Sequence, residues 1–201
     1  MQIRYRSTLS CEEYVATRAW QDSTARLSAC PIHGPDCRTF ARHGTYDRYT
    51  PWGPARINRH DCRLAATTFS LLPDCFAAHL SGTLVALEDA VDLAERTDVA
   101  TAAREAHPRA GTPAGVRASD AVRWLDHRVA LVLMVLVTLR GLFPETFDPG
   151  PATLSAMMDV SGMTPLLPAM PGLCAGGFQD LPAPVGLTEP KKSRVCTLIL
   201  R

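Results

Sequence analysis

Residues 30–37 read Cys30-Pro-Ile-His33-Gly-Pro-Asp-Cys37, and after an intervening His43 the stretch His60-Asp-Cys62 completes a cysteine/histidine set. Zinc takes four soft or borderline ligands in a tetrahedron, usually as two close pairs, because a tight turn can aim two side chains at one point. Cys30 with His33 or Cys37 makes a first pair. The second is incomplete: in Cys62-Arg-Leu-Ala65-Ala66, alanines stand where a partner Cys or His is expected. A fourth ligand then has to come from His60, His43, His33 or Cys75. The candidate ligands are Cys30, Cys37, Cys62, His33 and His60, with zinc as the expected cofactor. The alternative is a relic ribbon whose cysteines are small buried hydrophobes.

Around this set, Pro31, Gly34, Pro35, Gly44, Pro51, Gly53 and Pro54 punctuate short segments such as Thr45 to Tyr49 and Ala55 to Arg59. Turn residues at this density describe hairpins. Forty residues of that kind bury too little to hold themselves together, so they need a metal or a partner surface. Upstream, Gln2 to Arg6 alternates like a strand, and Cys11 to Trp20 suits a short helix.

Downstream of Pro73 the period changes. Leu84, Leu87, Val91 and Ala94 line one face of a helix over 83–96. Thr97 or Asp98 caps a second helix, Val99 to His107, ended by Pro108. A Gly/Pro-rich connection spans Arg109 to Val116, and Ser119 caps a long helix over 120–142. Past Pro144 prolines recur, so a short helix from Ala152 to Met158 is expected within an otherwise loosely packed or disordered tail. The expected fold is α+β, mainly α: residues 1–73 a lead-in and β-hairpin zinc-ribbon-like module, 74–148 a helical, helix-turn-helix-like bundle, and 149–201 a Pro-rich tail.

The residues Arg42-His43-Gly44-Thr45-Tyr46-Asp47-Arg48, the strand Arg56 to Arg59, and Thr67-Thr68-Phe69-Ser70-Leu71-Leu72-Pro73 carry a resemblance. With the cysteines, they look like the N-terminal zinc ribbon of bacterial transposase-like and transposon-associated proteins, in which the ribbon precedes helix-turn-helix-like helices. That family usually has a further Cys or His within four residues of the Cys62 position. The resemblance implies DNA binding of a transposon-associated or regulatory kind.

Charge agrees in sign. The net charge is +1, yet residues 1–73 hold ten Arg against six acidic residues. Arg42, Arg48, Arg56 and Arg59 are the expected phosphate contacts of the ribbon. Arg117, Arg123 and Arg128 are those of the third helix. A competing expectation is an interaction scaffold that docks a protein partner. Catalytic signatures are missing: no G-x-S-x-G elbow, no P-loop, and no strand/helix alternation long enough for a three-carboxylate nuclease fold. The opening residues lack the apolar stretch of a secretory signal, so the expected location is the cytoplasm. The longest apolar run, Val129 to Leu139, is too short to span a membrane.

Overall fold

The computed structural model describes residues 1–109, 117–147, 150–174 and 181–187. Among these, four strands form one mixed sheet: β1 (Gln2–Tyr5), β2 (Phe40–Thr50), β3 (Gly53–Cys62) and β4 (Thr67–Pro73), in the order β1-β4-β3-β2. β1 runs parallel to β4, and the other pairs are antiparallel. β2 and β3 are about twice as long as the segments expected from sequence. Gly44, which reads as a break, is a bulge: the register slips by one residue between Arg42 and Gly44, and Gly44 takes φ +101°. Glycine adopts that conformation without the Cβ clash any other residue meets, so the strand bends and continues.

The N-terminal segment covers one part of this sheet. Helix α1 (Cys11–Ala16) opens with a reciprocal cap: Ser10 Oγ accepts from Glu13 N–H and a Glu13 carboxylate oxygen accepts from Ser10 N–H. The helix presents Tyr14 to Trp20 and Phe76, with ring centroids 5.9 and 5.7 Å away. These rings pack on Ala55, Ile57 and Leu72 of the sheet. The β-rich module thus takes its second layer from its own chain.

Asn58 of β3 fastens that layer. Its buried side-chain amide donates to the carbonyls of Trp20 and Ala25, each at 2.7 Å. Asn58→Leu orphans both carbonyls, and an unpaired buried polar group costs about 1–3 kcal/mol. We expect a loss of about 2–4 kcal/mol in a urea titration with an unchanged m-value. A loss under 1 kcal/mol would show that the 20–25 segment does not depend on this residue.

The helical region follows: α2 (Leu84–Arg96), α3 (Val99–Arg109), α4 (Ala118–Leu142), α5 (Pro144–Phe147), α6 (Leu154–Ser161) and α7 (Leu166–Leu173). Thr83 caps α2 by accepting from Ala86 N–H. α4 starts one residue before Ser119, with Arg117 at the N-cap position and no side-chain cap. Pro108 lies inside the last turn of α3 instead of ending it at His107. Leu84, Leu87 and Val91 of α2 pack on Val132, Val135, Leu136 and Leu139 of α4. The small side chains Ala102, Ala103 and Ala106 let α3 approach Ala121 and Leu125.

The tail reading needs correction over residues 150–174 and 181–187. Leu154, Met157, Leu166, Leu167 and Met170 sit in the main core, as do Leu181 and Val185. Two carboxylates of α2 hold these helices. Glu95 accepts from the N–H groups of Leu154 and Ser155 at the start of α6, and buried Glu88 from those of Leu166 and Leu167 at the start of α7. A carboxylate there satisfies unpaired donors and complements the positive end of the helix. Residues 181–187 run back to the sheet: Arg4 donates to Pro184 O at 2.6 Å, Ala78 N–H donates to the same carbonyl at 2.8 Å, and Ala183 joins the Tyr14 cluster. The connection over 110–116 and the last residues of the tail, 188–201, lie outside the described residues. No helix is long and apolar enough to cross a membrane among the described residues.

Candidate metal centre

Three consecutive turns bring Cys30, His33 and Cys37 together. Gly34 N–H donates to Cys30 O at 2.9 Å, with Gly34 at φ +75°, and Cys37 N–H donates to Gly34 O at 3.4 Å. Phe40 N–H then donates to Cys37 O, which launches β2 directly from the third of these residues. Cys62 arrives from the other strand. It ends β3 opposite Phe40, and the following turn is tied back by Arg63 N–H to Thr39 O and Leu64 N–H to Thr39 Oγ1.

The ligand atoms of Cys30, His33, Cys37 and Cys62 all lie within 4.8 Å of one another. His33 Nδ1 is 3.6, 3.8 and 3.4 Å from the sulfurs of Cys30, Cys37 and Cys62, and the last two sulfurs are 3.6 Å apart. In a tetrahedron with metal–sulfur bonds of about 2.3 Å and a metal–nitrogen bond of about 2.0 Å, the edges come to about 3.5–3.8 Å. The observed spacings fit those edges, and they are far longer than a sulfur–sulfur bond of about 2.05 Å. All four groups are free to ligate a metal ion.

The environment favours a thiolate. Desolvation pushes the Cys62 thiol up, but Ala65 N–H, the Thr39 hydroxyl and the neighbouring thiols outweigh it and bring the group down to about 6. Burial raises Cys30, which shares its proton network with Cys37 and Cys62. Phe69, Ile3, Leu27 and Phe40 wall the inner side of Cys30 and Cys62, while His33 is exposed. Four protein ligands fill a tetrahedron and leave no open position, which suits a structural metal and not a catalytic one. No protein-family model, no curated protein and no solved structure matches the chain.

The fourth member of the cluster is therefore His33. His60 is on the same strand face as Cys62 but two residues back, about 7 Å along the strand. Its buried ring stacks on Phe40, 5.4 Å between centroids, and its Nδ1 has no hydrogen-bond partner. His43 stands exposed at the β2 bulge, and Cys75 packs on the Tyr14 cluster.

The arginines divide. Arg48 is buried and donates to the carbonyls of Ala77 and Leu80. Arg128 is buried, 4.0 Å above the Trp124 ring, and donates to Ser81 Oγ and Trp124 O. Both guanidinium groups are used in packing the fold and are not displayed to a phosphate. Arg117 and Arg123 are exposed, the latter 2.7 Å from Asp120. Arg56 and Arg59 are three residues apart on one strand, and the two-residue period of a strand sends them to opposite faces. By register, Arg42 sits opposite His60 and Arg56 opposite Asp47, so Arg42 and Arg56 share a face. Tyr49, opposite Pro54, lies on that face too. Tyr49 and Trp52, two aromatics flanking Thr50-Pro51, are exposed as well.

Proposed function

We propose that the chain is a zinc-dependent DNA-binding protein of the transposon-associated or regulatory type, without a catalytic centre of its own. One observation carries the reading: the metal-ligand cluster closes the open end of an arginine-rich hairpin. Residues 38–63 contain Arg38, Arg42, Arg48, Arg56, Arg59 and Arg63 against only Asp47 and Asp61, while the rest of the chain has more acidic than basic residues. Three thiols and one imidazole at tetrahedral spacing suit zinc better than hard cations, which take oxygen ligands. In this reading zinc pins β2 to β3 as a zinc-ribbon-like module. The hairpin offers exposed Arg42 and Arg56, with half-exposed Arg59 on the other side, to phosphates. The helices α2 to α4, the helix-turn-helix-like part, add Arg117 and Arg123.

Phosphate contacts release counterions, so affinity falls steeply with salt. Arg42→Ala with Arg56→Ala should weaken binding to unrelated duplexes alike and reduce the log–log salt slope by about 2, read by fluorescence anisotropy at several salt concentrations. Arg48 and Arg128 do not belong in that test, because replacing them disturbs the fold. Binding independent of salt would overturn the proposal. Metal-free protein of unchanged stability would favour the scaffold with a relic ribbon.

A further inference from the structure

The end of the β2–β3 hairpin remote from the metal is built for display. Trp52 is 46% exposed and Tyr49 57%, whereas the other two tryptophans are committed: Trp20 is buried against Tyr14, and Trp124 lies between Arg128 and the edge of His107. An exposed tryptophan on a mobile tip would be unremarkable as chemistry, but this tip is fastened. The Thr50 hydroxyl donates to Gly53 O at 2.7 Å and accepts from Trp52 N–H at 3.2 Å. Gly53 closes the turn at φ +111°, a conformation other residues rarely take. Tyr49 lies on the face that carries Arg56 and Arg42, where Arg56 also meets Asp47 at 3.7 Å. Cations on a hairpin face that leads to exposed rings at a fastened tip are what a single-stranded nucleic acid uses: its backbone follows the charges, and its unpaired bases stack on the rings. A duplex already stacks its bases on each other and gains nothing from the rings.

We propose that Trp52, on a tip that also exposes Tyr49, stacks on unpaired bases, so that the nucleic acid taken by this ribbon contains a single-stranded segment. This rests on the DNA-binding reading and specifies its ligand. The tip is about 30 Å along the strand from Cys62, at about 3.3 Å per residue, so altering it leaves the metal cluster untouched.

The test uses the full-length zinc-loaded protein with two labelled probes, a 20-nucleotide oligothymidylate and a 20-base-pair duplex, at one low salt concentration. The single strand should bind more tightly than the duplex and quench tryptophan fluorescence. Trp52→Ala should lower single-strand affinity by about 5- to 150-fold, the range for loss of one stacked base, and leave duplex affinity unchanged. Trp52→Phe should retain most of the single-strand affinity. Unaltered oligothymidylate binding by Trp52→Ala would overturn the stacking proposal alone, as would an equal loss on both probes. Wild-type protein that binds neither probe overturns the DNA-binding reading itself, and a protein partner becomes the occupant of the tip.

Discussion

Cys62→Ser should empty the metal centre and cost the protein several kcal/mol. Zinc should fall from about one per chain to near zero by elemental analysis, and the melting transition should drop by at least 10 °C. Cys62 is fully buried and is the member of the candidate cluster that comes from β3, 3.4 Å from His33 Nδ1 and 3.6 Å from Cys37 Sγ. Serine leaves three candidate ligands on residues 30–37 and no thiolate on β3 to join them through the metal. Structural zinc contributes about 10–16 kcal/mol in small zinc-finger peptides, so even partial loss exceeds what one hydrogen bond supplies. A chelator should reproduce the effect on wild-type protein and do little to the variant. His33→Ala should lose zinc in the same way, and His60→Gln should keep it. Retention of zinc by His33→Ala with loss in His60→Gln would refute the assignment of the fourth ligand.

Glu88→Ala should be the most damaging substitution in the helical region, at about 3–5 kcal/mol, because it strands two buried donors and opens a cavity. The carboxylate accepts from Leu167 N–H at 2.7 Å and Leu166 N–H at 3.0 Å. Glu88→Gln keeps one acceptor oxygen and should fall between wild type and alanine. The pH dependence has a defined sign. Desolvation raises Glu88 above the usual carboxylate range even though the two N–H donors pull it down. A carboxyl with a raised folded-state pKa binds its proton more tightly in the native protein than in the unfolded chain, so its contribution is fully present below about 4.3 and declines as pH rises through the folded value. The stability of wild type relative to Glu88→Gln should therefore grow as pH is lowered from 7 towards 4. Chemical denaturation at several pH values measures this, and a gap that narrows on acidification would reverse the assignment.

The parts legible in the sequence were those set by local period. The stripe Leu84, Leu87, Val91 gives α2 to within a residue, the expected first position, Thr83, proving to be its N-cap. Cys30, Cys37 and Cys62 were legible as candidate ligands from the cysteine pattern alone. The fourth member of the cluster was not, since His33 and His60 are both within chain reach of Cys62. The choice is made by strand rise, which carries His60 too far, and by Phe40, which takes its ring. Arg48 has exposed neighbours on both sides in sequence, Asp47 and Tyr49, and its inward direction follows from its register with Ala55, a cross-strand fact. The proline-rich tail misled for a related reason. Pro168 falls in the first turn of α7, where a backbone N–H would have no helical partner, and Glu88 serves the two donors before it. That helix depends on a residue about eighty positions away.

The grip of Arg4 on Pro184 has a consequence for how the protein comes into being. The cluster of Tyr14, Trp20 and Phe76 is finished only when Ala183 reaches it. Emerging from a ribosome at about 5–20 residues per second, the first strand must wait roughly ten seconds or more for the segment that seals it. During that interval an aromatic surface and a cluster of reactive thiols stand open. Early capture of zinc would close the thiols and leave the rings as the surface that a chaperone has to shield.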